Sequence, residues 1–152
     1  MNGAHWHLAV NHLPIIFPVA GAIVMGTALA VKSEVLKRMA FALFILGGLL
    51  AFLAMATGEG AEGILLKADP GSASYIERHE EATETLAVLS YVLGAFSAVG
   101  LWASLRDKAF SKLLAPAAMV LVLIVLFFAR KAGTTGGEIR HTEIREAHAA
   151  VR

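Results

Sequence analysis

Three of the six histidines of this chain, His5, His7 and His12, stand at the entry of its first long apolar run, in "MNGAHWHLAVNHLP". His79 stands at the entry of the helix expected around the third run, and His141 follows the fourth run, in "GGEIRHTEI". Imidazole is the commonest metal-ligating side chain, so histidines from separate segments at one depth can hold a metal ion or the iron of a haem. Cysteine is absent, which removes iron–sulfur clusters, thiolate metal sites and haem attached through thioethers. Any cofactor must then be held by His, Asp, Glu, Met or backbone. Glu59 and Glu62 place carboxylates at the end of the second run, within reach of a mixed His and Glu site.

The elements that must position these residues are apolar. The 152 residues are 57% hydrophobic and 16% charged, with a mean hydropathy of +0.68, well outside the composition of an ordinary soluble domain. Four runs, Leu8 to Val31, Met39 to Thr57, Thr85 to Leu105 and Leu113 to Ala129, each approach the roughly 20 residues a helix needs to cross a bilayer. None carries a polar stripe at helical period, as a helix of a soluble bundle would. The sequence therefore predicts one all-α membrane domain over residues 1–152, a four-transmembrane-helix bundle. Its helices are expected at about 8–31, 39–57, 79–105 and 113–131, with an outer-face loop over 58–78 and a tail over 133–152. The first run lacks a basic lead-in and a small-residue cleavage site, so it reads as a retained helix. Formal net charge is +1, which offers no footprint for nucleic acid.

The connections "KSEVLKR" and "RDKAFSK" are short and basic, as cytoplasmic loops tend to be. With four crossings both termini return to the opposite face, giving an N-out, C-out arrangement in a bacterial inner membrane with the site on the periplasmic side. Every histidine then falls on the outer side. His5 and His148 read as interfacial or solvated residues, and "HEEATE" reads in part as a charged first turn suited to a helix N-terminus. Ser72 or Ser74 can cap that helix after the turn "DPGS". His7, His12, His79 and His141 form the group of interest, because polar groups at membrane depth are functional by default. On one continuous helix His7 and His12 would point about 140° apart, so they are expected to serve different partners.

Two readings of the site follow. A b-type haem needs axial side chains and a groove in a helix bundle. For one or two haems the axial candidates are His7, His12, His79 and His141, with Gly136 and Gly137 allowing close approach and Arg130 and Arg140 facing the propionates. The alternative is zinc, copper or iron held by the histidines with Glu59 and Glu62. Gly47 and Gly48 lie mid-span and are expected to serve helix packing. No HExxH or di-iron spacing is present. A structural subunit whose histidines bind nothing is a third reading.

"HLAVNHLPI", with its two histidines and following proline, resembles the opening of the bacterial membrane proteins grouped under unknown-function domain 2231. "ATGEGAE", His79 and "GGEIRHTEI" match that family's later landmarks in order, over nearly the whole chain. The resemblance carries over to His7, His12, Pro14, Glu59, His79, Gly136, Gly137 and His141. The sequence departs from the family pattern at Asn11, at the acid Glu59 or Glu62, and at the ending "HTEI". Some relatives look joined to Rieske or cytochrome c domains. The resemblance thus implies a cytochrome-like, electron-transferring subunit with membrane or periplasmic redox partners; a quinol is a further candidate partner, one that neither the resemblance nor any motif in the sequence specifies.

Overall fold

The computed structural model describes residues 2–149, the last four of them as backbone alone, so the side chain of His148 lies outside the described residues. The described chain is helical almost throughout: α1 Gly3–Val10, α2 Leu13–Ala30, α3 Glu34–Ala68, a 3₁₀ turn Pro70–Ser72, α4 Ala73–Leu105, α5 Ser111–Arg140 and α6 Thr142–Ala149. Four spans are long and apolar enough to cross a membrane: Gly3–Ala30 (α1 with α2), Glu34–Ala68, Pro70–Leu105 and Ser111–Arg140. They pack as a bundle, each span against its neighbour in sequence and α2 also against α5.

The helices outrun the expected boundaries. The segment 58–78, expected as a loop, is two helix ends joined by a tight turn. α3 runs for 35 residues to Ala68, about 52 Å at 1.5 Å per residue. The turn is fixed by Asp69, whose carboxylate accepts from the Gly71 N–H at 3.1 Å, and by Pro70, which suits a first helical position. Ser72 occupies the N-cap position of α4 without a side-chain cap bond; its hydroxyl donates instead to the Asp69 carbonyl at 2.7 Å. The tail expected from residue 133 is helical through Arg140. Conversely, the first expected helix is broken at Asn11 and His12, just ahead of Pro14. In these places local polarity suggested loops, but packing against a neighbouring helix continues the hydrogen-bonded backbone.

Small residues bring the helices together. Ala28, Ala40, Ala103, Ala115 and Ala118 are fully buried, whereas Ile23, Leu49, Phe52, Leu113 and Phe127 point outward. That inside-out pattern is how helices associate when their surroundings are as apolar as leucine. α3 and α4 cross where a Cβ on Gly48 would lie 2.9 Å from the Ser90 carbonyl oxygen. Pro18, inside α2, seats against Gly47, and the Phe44 and Phe41 rings cover Gly21 and Gly100. On the loop face Arg38 clamps the start of α3 to the end of α4, donating to the Ser104 hydroxyl at 2.9 Å and carbonyl at 2.8 Å.

Candidate functional site

The site lies at the end of the bundle that carries both termini. Helix α1 lays His7 against α3, where Gly3 and Gly60 permit close backbone contact. The His7 Nδ1 is 3.2 Å from both the Ala54 carbonyl and the Thr57 hydroxyl. Thr57 directs its single hydroxyl proton to its own helix, 3.0 Å from the Leu53 and Ala54 carbonyls. It can therefore only accept from the imidazole, as can the Ala54 carbonyl. Nδ1 then carries the proton and Nε2 carries a lone pair.

His79 on α4 repeats the arrangement against α5. Its Nδ1 is 3.2 Å from the Thr135 hydroxyl, whose proton is directed to the Lys131 and Ala132 carbonyls at 3.1 and 3.2 Å. The same accounting leaves the His79 Nε2 as a lone pair. Its ring packs against Gly136, where a Cβ would sit 2.9 Å from Cε1; a Cβ on Gly58 would sit 4.0 Å from the His7 Cε1. Both imidazoles are half-buried, and they are near enough for the charge of one to act on the other.

The remaining sequence candidates are not in this pair. His12 is exposed at the start of α2 and bonds through Nδ1 to the Asn11 side chain. It faces a different neighbour from His7, and the break at Asn11 and His12, not the spacing along one continuous helix, separates the two. His141 is exposed just past α5, its Nδ1 2.9 Å from the Glu143 carboxylate. The Glu143 carboxyl is held below its usual range, first by its own backbone N–H and then by His141. Glu59 is exposed and Glu62 half-buried, with Glu62 facing Glu80 of α4. Arg130 and Arg140 are exposed on α5, and Gly137 packs against Ile144. Among the described residues no three of His, Asp or Glu are grouped to hold a metal ion.

Two features escaped the sequence reading. Thr57 and Thr135 are one; the signal that could have revealed them is the recurrence of Ala-x-x-Thr-Gly, in "AMATG" (54–58) and "AGTTG" (132–136). The other braces α4, α5 and α6 near His79. Arg78 pairs with the buried Glu138 at 3.2 Å, and Arg145 donates to the Glu138 and Ile139 carbonyls at 2.6 and 2.8 Å. The Tyr75 ring lies under both guanidiniums, at 4.7 and 3.9 Å, and cations capping the final carbonyls of a helix favour its termination there. No family model, curated protein or solved structure matches this chain.

Proposed function

We propose that this chain is a membrane-embedded b-type haem protein that passes electrons near the periplasmic face, as a subunit of a larger redox assembly in a bacterial inner membrane. The supporting observation is the His7 and His79 pair, two half-buried imidazoles from different helices, each with Nδ1 engaged and Nε2 available. Haem iron is held by one or two side chains from the protein. A structural zinc site needs four ligands and a catalytic one three, and among the described residues only these two imidazoles combine an anchored Nδ1 with partial burial. The donor set therefore fits haem better than a bare ion. Bound there, haem would supply a one-electron couple at its iron.

The chain's own residues would do the rest. Thr57 and Thr135 hold the Nδ1 protons, which orients each ring and raises the basicity of Nε2. Gly136 leaves room for the His79 ring. Partial burial lowers the local dielectric and limits water. The short basic connections at Lys37 and Lys108 support the N-out, C-out orientation, and the proposed partners are membrane or periplasmic redox subunits, with a quinol as a further one.

An absorption spectrum of the protein purified in mild detergent, oxidised and then reduced with dithionite, tests this reading. The expected result is a low-spin b-type spectrum that His7→Ala or His79→Ala converts to high-spin or abolishes. A haem-free protein carrying about one tightly bound zinc or copper per chain would overturn it.

A further inference from the structure

The two halves of the chain match each other beyond the His–Thr pairs. Each half enters from the terminal face, turns on the loop face and returns. Both inner turns hold a non-glycine residue in the left-handed region, Lys32 at φ 55° and Asp107 at φ 49°. Both are closed by the same long backbone bond, from Ser33 N–H to Ala28 O at 3.0 Å and from Lys108 N–H to Ala103 O at 2.9 Å. This is the Schellman type of helix ending. The paired acceptors Ala28 and Ala103 are each fully buried.

The returning helices keep a second constant register. Ala40 pairs with Ala118, Phe44 with Val122, Gly47 with Val125 and Ala51 with Ala129, and all eight are buried. The same register pairs Ala54, Thr57 and Gly58 with Ala132, Thr135 and Gly136. Parallel repeats of this kind in a membrane protein are related by an axis along the membrane normal. In each half, then, the incoming helix brings a histidine to the Thr of the helix that follows it. His7 and His79 are matched by their threonine contacts and not by the 75-residue offset of the inner turns, which sets His7 against Ala82. His12 and His141 make no such threonine contact among the described residues, and in the register of α3 and α5 Gly63 stands where His141 would repeat.

We infer that the chain is a tandem pair of two-helix units, and that His7 and His79, one from each unit, are equivalent ligands of a single centre between them, with His12 and His141 outside it. The identity of that centre as haem rests on the reading above; the pairing of the ligands does not. A haem bound there would be held by one imidazole from each half, His7 and His79. The stoichiometry is accordingly one cofactor per chain.

The natural absence of cysteine allows the pairing to be tested without cofactor. In the full chain in membranes, His7→Cys with His79→Cys is treated with a short bismaleimide and compared with His12→Cys combined with His141→Cys. Intrachain cross-linking is expected for the first pair and not for the second. Separately, haemin titration of the purified chain is expected to saturate at one per chain. His7→Ala and His79→Ala should each give the same high-spin spectrum, with matching losses of affinity of about tenfold or more, consistent with losing a ligand interaction. His12→Ala and His141→Ala should titrate like the unaltered chain. Absence of the first cross-link, two haemins per chain, or unequal effects of the two alanine variants would overturn the inference. Cross-linking in a chain that takes up no haemin would uphold the pairing and overturn the haem reading alone.

Discussion

Two glycines on one helix, three residues apart, separate the stability of the bundle from the geometry of the site. An added Cβ at Gly133 meets nothing within 4 Å, whereas at Gly136 it would lie 2.9 Å from Cε1, 3.3 Å from Nδ1 and 3.5 Å from Nε2 of His79. Alanine at either position gains about 1 kcal/mol of helix propensity. At Gly136 the imidazole must retreat by roughly 0.5 Å to reach ordinary contact distance. Its Nδ1 bond to Thr135 is already 3.2 Å long, so that retreat carries it past any useful hydrogen bond. Losing the bond costs about 1 kcal/mol, which offsets the propensity gain. Gly136→Ala should therefore unfold close to the unaltered protein, and Gly133→Ala a few degrees above it, in thermal melts followed by circular dichroism in detergent. Haemin affinity should diverge instead. Loss of an outer-shell bond weakens metal binding by about 10–100-fold, so Gly136→Ala should weaken haemin in that range while Gly133→Ala leaves it unchanged. Equal haemin binding by the two variants would refute the placement of His79 as a ligand held by Thr135.

Other expectations follow from single contacts. Gly48→Ala should destabilise the bundle by about 1–3 kcal/mol, because the opposing atom is the Ser90 carbonyl oxygen and backbone cannot swing aside; an unchanged melting temperature would refute the α3–α4 crossing. Ser97→Ala should leave stability unchanged or raise it by about 1 kcal/mol, since the buried Ser97 hydroxyl has no hydrogen-bond partner among the described residues; a clear loss in the same melt would contradict that. His79→Gln should remove bound haem, whereas Glu80→Gln and Glu84→Gln, both at exposed positions, should retain it; greater loss from the glutamate changes, measured as haem per chain, would favour a mixed His and Glu metal site. A reporter that is active only in the cytoplasm should stay inactive when fused to the C-terminus, and activity there would reverse the proposed orientation.

Much of the architecture was legible without coordinates. Four apolar runs of spanning length, with no polar stripe, leave a helix bundle as the economical way to satisfy every backbone group in lipid. The pair Gly47–Gly48 was readable as a packing point, and contact with Pro18 and Ser90 is what they make. The ends of the helices were not legible. "TGEGAEGILLKA" is rich in glycine and charge and reads locally as a loop, yet α3 continues through it beside α1.

The sequence by itself also determined which residue types could bind a cofactor, because histidine is the strongest ligand left once cysteine is absent, and it determined that these histidines cluster at span ends. Which of the four meet a threonine of the following helix was decided by tertiary structure alone. His7 and His79 stand far apart in the chain, and His7 and His12 differ by a helix break whose direction no spacing rule supplies. Only when α1 lies on α3 and α4 lies on α5 do Thr57 and Thr135 meet the two rings. The physical reason is that a tautomer is set by the neighbour of Nδ1. That neighbour sits on another helix, so helix packing decides which imidazoles present a free Nε2.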